Sequence, residues 1–179
     1  TYAYDGLNRR VSETAGGTTT DLLYSDQWQV LEEKVGSNTS ARYVWSPVYV
    51  DAMILRDRDT DANGTLDERL WVVQDANWNV VALVNGSGSV VERYAYDPFG
   101  VRTVYDASYN VRSGGSSYGF NQGFQGMFFD SVAGLNPQRE RWYSPTLGRW
   151  TSPDLMRYAA GDPGLYRFES NTSTGFTDP

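Results

Sequence analysis

The chain has 179 residues, enough to bury one sizeable core, with a formal net charge of −7 and a pI near 4.5. That acidity argues against a nucleic-acid backbone as partner, because phosphate recognition needs clustered Lys and Arg. With no Cys and no His, disulfides, thiolate metal sites and imidazole bases are excluded, and the single lysine, Lys34, disfavours Schiff-base chemistry; carboxylates, hydroxyls, arginines and backbone groups remain.

No apolar run reaches the roughly 18 residues of a spanning helix and no basic segment precedes an apolar one, so neither a membrane span nor a signal peptide is read. An export signal is expected upstream of Thr1.

In chain order, bulky pairs two residues apart recur at Tyr2/Tyr4, Leu22/Tyr24, Tyr43/Trp45, Trp71/Val73 and Tyr94/Tyr96, spaced by 20, 21, 28 and 23 residues. Residues two apart share one face of a strand, so each pair places two large side chains side by side. A turn-former follows each pair: Asp5-Gly6, Ser25-Asp26, Ser46-Pro47, Gln74-Asp75 and Asp97-Pro98, suited to a turn in which the side-chain oxygen holds following backbone N–H groups. The intervening stretches 9–24, 28–35 and 79–96 are β-rich and hinge on Gly-Gly, Gly-Ser or Asn-Gly, which reads as consecutive hairpins. An isolated hairpin is marginal in water, so these must pair edge to edge and bury their aromatic face.

One spacing is lengthened by an acidic insertion, "LRDRDTDANGTLDERLW" (55–71), in which Asp59, Asp61, Asn63, Gly64, Thr65 and Asp67 occupy positions 1, 3, 5, 6, 7 and 9 of a D-x-D-x-N-G-x-x-D pattern. Alternating oxygens around a glycine bend suit Ca2+, with Asp59, Asp61, Asn63, Thr65 and Asp67 as ligands and Glu68 or water completing the shell. Position 12 is Leu70 where an EF-hand has its bidentate Glu, so a calcium-stapled hairpin competes with a plain solvated hairpin tip.

Beyond residue 112 the periodicity loosens and Gly and Pro increase. "SGGSSYG" (113–119) lacks the Lys of a phosphate loop and reads as a flexible connection. The six tryptophans could stack sugars, but aromatics at this spacing more often form core, and the Arg and aromatic alternation of "RERWYSPTLGRW" fits arginines stacked on neighbouring rings.

The segments "YAYDGLNRRV", "RYAYDPFGV", "GFQGMFFDSVAGLNPQRERWYSPTLGRWTSPD" and "AAGDPGLYRF" resemble the YD repeats and associated core of the RHS family, over essentially the whole chain. The resemblance implies an all-β fold in which antiparallel hairpins (1–112, with the insertion 55–71) form a curved, spiralling sheet. An irregular core segment (113–179), with one brief helical turn near 154–160, is expected to plug it.

It also implies a secreted or cell-surface structural module, part of a β-shell that encloses a passenger or presents a stiff surface, partnered by upstream repeats, a C-terminal passenger or surface carbohydrate. An alternative is a fibre subunit whose open sheet edges join by β-strand addition. In the wider family the core cuts itself after a final Asp-Pro-x-Gly-Leu using two aspartates, and the matching positions are Asp154 and Asp178. Here Asp154 begins "DLMR", Ser144 stands where an acidic residue is common, and the terminal Gly-Leu is missing; these departures favour turn aspartates over a working acid–base pair.

Overall fold

The computed structural model describes residues 1–161 and 163–171. Ten antiparallel strands follow one another in sequence order in one sheet: β1 (Tyr2–Tyr4), β2 (Arg10–Ala15), β3 (Thr18–Tyr24), β4 (Val30–Val35), β5 (Asn38–Trp45), β6 (Met53–Arg58), β7 (Glu68–Gln74), β8 (Val80–Asn85), β9 (Val90–Tyr96) and β10 (Arg102–Asp106). A second sheet holds β11 (Asn136–Gln138), β12 (Arg141–Ser144) and β13 (Arg149–Trp150). The helical content of the described residues is three 3-10 turns, at Phe124–Gly126, Arg157–Ala160 and Glu169–Asn171; the second is the turn expected near 154–160. The all-β hairpin architecture read from the sequence is therefore the one observed.

Contacts divide the chain into two compact units. The first comprises Thr1–Val73 with Ala82–Val91, and the second Gln74–Val81 with the residues from Glu92 onward.

In the first unit, β2 and β3 meet at Gly16-Gly17, both at positive φ (58° and 81°), as a tight hairpin needs. Strands β6 and β7 flank the acidic loop 59–67, pairing Arg58 with Glu68 and Leu55 with Trp71. The registers Tyr43↔Arg56 and Arg56↔Leu70 set these three residues in a row across β5, β6 and β7, where they are 6%, 3% and 1% exposed.

Here one expectation fails. The pair Trp71/Val73 is not buried but 42% exposed at each residue. Leu70 lies in the row with Arg56, and the two-residue period turns Trp71 and Val73 to the opposite face, where the cross-strand partner Leu55 is buried and Trp71 itself stays open. Tyr2 and Tyr4 are likewise 36% and 46% exposed, on a three-residue strand paired along one side.

The second unit has an aromatic core of Phe124, Met127, Tyr143, Trp150 and Phe168, with Tyr96 packed against it. The Tyr143 and Phe168 rings lie 4.2 Å apart, and Trp150 meets both edge-on at 5.7 and 5.5 Å. Two glycines make this packing possible. A Cβ on Gly100 (φ 90°) would stand 2.5 Å from the Phe124 ring, and one on Gly148 (φ 61°) 2.8 Å from the ring of Phe99. Buried hydroxyls find backbone acceptors: Tyr96 Oη donates to the Val80 carbonyl and Tyr143 Oη to that of Phe99, each at 2.8 Å. Burial pushes both phenols well above their ordinary pKa, so these bonds persist through alkaline pH.

Candidate functional site: repeated turns and a buried glutamate

The recurring aspartate phrase makes one local device, used again and again. Asp5 Oδ1 accepts from the N–H of Leu7 and of Arg9, both at 2.9 Å. Asp75 accepts in the same way from Asn77 and Asn79, Asp97 from Phe99 and Val101, and Asp106 from Ser108 and Asn110. Ser25 Oγ and Asn85 Oδ1 do the same for the turns 25–29 and 85–89, so an acceptor suffices and charge is not essential.

In each turn the fourth residue is at positive φ: Asn8, Trp28, Trp78, Gly88, Gly100 and Tyr109. That geometry matches a type I turn followed by a left-handed bulge residue. Three of the six are aromatics where Gly or Asn would be unstrained, and the side-chain acceptor at the first position is what holds the strained conformation. At the fifth position a side chain braces the free oxygen: Arg9 Nε to Asp5 Oδ2 at 2.7 Å, and Asn79 and Asn110 Nδ2 to Asp75 and Asp106 Oδ2. Asp97→Ala is accordingly expected to lower the melting temperature while Asp97→Asn retains it. Equal losses in both variants would show that charge, not the acceptor, matters.

These bonds set a pH dependence. The Asp5 carboxyl is held below its ordinary pKa chiefly by the Arg9 N–H, Asp106 by the Asn110 side chain, and Asp57 by the guanidinium of Arg69. A depressed carboxyl stabilises the fold above its unfolded pKa and releases that stability as pH falls through the folded value. Melting temperature is expected to be flat from pH 7 to about 5 and to drop below about pH 4, where carboxylates protonate. A flat profile down to pH 3 would exclude this role.

The second feature is a carboxylate inside the second unit. Glu92, on β9, is 0% exposed. Its Oε1 accepts from Tyr94 Oη and from Ser116 Oγ (2.5 Å), its Oε2 accepts from the Ser117 N–H (2.8 Å), and Arg112 Nε lies 3.9 Å away. Arg112 Nη1 in turn donates to Ser117 Oγ at 2.6 Å. Desolvation first, then the bond to Glu92, hold the Tyr94 phenol far above its usual range, so it stays a donor. The segment read as a flexible connection, 113–119, is thus tied through Ser116 and Ser117 to a buried anion. Sequence reasoning passed over Glu92, although its parity with Tyr94 and Tyr96 in "VVERYAY" puts a carboxylate on the aromatic face.

The acidic insertion forms a turn closed on its own backbone. Asp59 accepts from the N–H of Asp61 and Asn63 through Oδ1 and from Gly64 through Oδ2 (2.7 Å), and Asp61 Oδ1 accepts from Asn63. Asn63 Oδ1 accepts from Thr65, while Asp67 accepts from the N–H and hydroxyl of Thr60. Oxygens of Asp59 and Asp61 thus both lie 3.2 Å from Asn63 N, although among the described residues no three carboxylates converge closely enough to hold an ion. Partial desolvation raises the Asp59 pKa, but the Gly64, Asn63 and Asp61 donors outweigh it and the net shift is downward.

Asp154 pairs with Arg141 (3.4 Å) and accepts from the Met156 N–H at 2.7 Å, the arrangement of a turn aspartate. Asp178 lies outside the described residues. Of the arginines expected to stack on rings, Arg141 sits 4.1 Å from the Trp150 centroid and Arg149 4.8 Å from that of Tyr166.

Comparison with known proteins places these features. In sequence, the chain is 29% identical over 149 residues to a protein named tRNA3(Ser)-specific nuclease WapA from Bacillus spizizenii, and 27% identical to tRNA nuclease WapA from Bacillus subtilis. Each alignment covers 83% of the chain but 6% of the relative. In structure, it resembles a chain in the crystal structure of TcdB2-TccC3, with a TM-score of 0.70 at 19% identity over 99% of this chain and 9% of that one, and another in TcdB2-TccC3-Cdc42, at 0.68 and 17%. The teneurin YD-shell family model matches residues 1–172, and the chain belongs to that family.

Proposed function

We propose that this chain is a stretch of wall in the β-shell of a larger RHS-type polypeptide, enclosing a passenger outside the cell. The observation that carries the reading is the stack of side-chain-backed hairpins, each pairing with the next, which builds an extended surface. The relatives named as nucleases are many times longer than the segment matched, and an acidic chain without His is a poor nuclease but a suitable container wall. Limited proteolysis of the full-length polypeptide tests this. The passenger is expected to stay intact in the native protein and to become cleavable when a core substitution such as Trp150→Ala opens the wall. A passenger cut equally in both would overturn the reading.

A second proposal concerns the acidic loop. Its carboxylates use N–H bonds that orient them without exhausting their lone pairs, and Asp59 and Asp61 are drawn together by sharing the Asn63 N–H. We infer that Ca2+ binds through Asp59, Asp61, Asn63, Thr65 and Asp67 as a structural staple of the β6–β7 hairpin. Chelation is expected to lower the melting temperature of the native protein but not of Asp61→Ala. Identical melting with and without chelator would remove the metal.

Self-cleavage is expected to be absent here. With Gly-Leu and a short tail appended after Pro179, the tail should remain attached. Release that Asp154→Asn or Asp178→Asn abolishes would establish the aspartate pair.

A further inference from the structure

The second unit contains a cleft of about 300 Å³, at the small end of the range for ligand pockets. Its walls include the rings of Tyr96, Phe124 and Phe129, and two polar side chains, Arg102 and Asn136, face the same space. The fold engages each of them only in part.

Asn136 is 2% exposed, yet its side-chain Oδ1 has no hydrogen-bond partner among the described residues. An orphaned buried amide oxygen is rare in native proteins and costs roughly 1–3 kcal/mol, a cost that a donor brought by a ligand would relieve. Arg102 donates from Nη1 to the carbonyl of Phe120 at 3.1 Å, with that of Gln122 at the 3.5 Å limit. Its guanidinium lies 5.8 Å from the Phe129 centroid and 5.3 Å from that of Tyr94. A guanidinium carries five N–H donors in a rigid fork, and those on Nε and Nη2 are not engaged by any described residue.

A buried acceptor without a donor, and guanidinium N–H groups that the described residues leave open to a further acceptor, are set in one aromatic cleft and are complementary to one common group. A residue in an extended peptide presents its own N–H and C=O on one edge of the chain, beside an apolar side chain. A carboxylate would leave the Asn136 oxygen unsatisfied, and a hydrocarbon would leave both groups so. We propose that this cleft binds a short extended peptide segment, seating one apolar side chain among Phe124, Phe129 and Tyr96. The peptide carbonyl accepts from Arg102 and the peptide N–H donates to Asn136 Oδ1; a half-turn of the carboxamide torsion presents either end of the Asn136 amide to the cleft. The site shares no residue with the acidic loop and does not include Asp154, and it does not depend on the shell reading.

The probe is N-acetyl-L-phenylalaninamide, titrated into the 15N-labelled native protein. The expected result is a saturable shift of the Asn136 side-chain NH2 resonances and of the Gly134 amide, which lines the cleft. Two variants report on different parts of the site. Asn136→Leu should weaken binding at least tenfold. Thr146→Trp, at the exposed rim, should block entry while leaving the core and the melting temperature unchanged, so the proposal stays testable even if the Asn136 variant fails to fold. Propylbenzene, the same body without amides, should bind at least tenfold more weakly than the probe. Equal binding of propylbenzene, or no shift of the Asn136 resonances at saturating probe, would reduce the cleft to an apolar or water-filled void and overturn the proposal.

Discussion

Trp150→Ala is expected to destabilise the protein by about 3–5 kcal/mol, the usual cost of deleting a large buried aromatic. Trp150 is 2% exposed, stands edge-on to both Tyr143 and Phe168, and carries the Arg141 guanidinium over its outer face. Truncation removes those ring contacts together and strips the Arg141 stacking partner, while Tyr143 and Phe168 remain held by each other and by Phe124, so the void cannot close. Trp150→Phe keeps an aromatic at the same place and should cost much less. Urea denaturation of the three proteins decides it. A loss under about 1 kcal/mol for the alanine variant would mean that the core relaxes around the site and that its packing is not specific.

Glu92→Ala should rank beside it, at about 3–5 kcal/mol, because breaking a buried charged cluster leaves the remaining partners unpaired. Tyr94 Oη, Ser116 Oγ and the Ser117 N–H would all lose their acceptor, and Arg112 would lose the anion nearest its Nε. Glu92→Gln tests the chemistry more finely. It preserves shape, but its NH2 turns a donor toward donors at one of the two oxygen positions, so an intermediate loss is expected. Hydrogen exchange supplies an independent readout: the Ser117 amide should lose its protection in the alanine variant before the β9–β10 ladder does. If Ser117 is unprotected in the parent protein, the carboxylate is not what orders the segment 113–119.

The hairpins, their order and their aspartate turns were legible because they are local. Asp97 and Val101 are four residues apart, and the acceptor, the turn and the strand parity all lie within one short window. The core was legible only as a list of aromatics. Nothing in the spacing of Tyr96, Phe124, Tyr143, Trp150 and Phe168 announces that they form one cluster, because what joins them is register and chain return.

Trp71 shows the limit from the other side. The residue looked like core by composition, and a single step of register placed Leu70 inside and Trp71 outside. Glu92 and Asn136 show it again. A polar side chain becomes a buried anchor or an orphaned acceptor only when distant segments close over it, and those segments are 24 residues away for Ser116.

The sequence by itself therefore determined the all-β class, the repeated turn and the family, since each is written in short-range periodicity and in motifs of a few residues. Tertiary structure alone decided which aromatics are buried, what the glutamate of β9 holds in place, and that Asn136 and Arg102 line one cleft. Those depend on strand register and on the return of the chain, which fix neighbours that the order of residues leaves open.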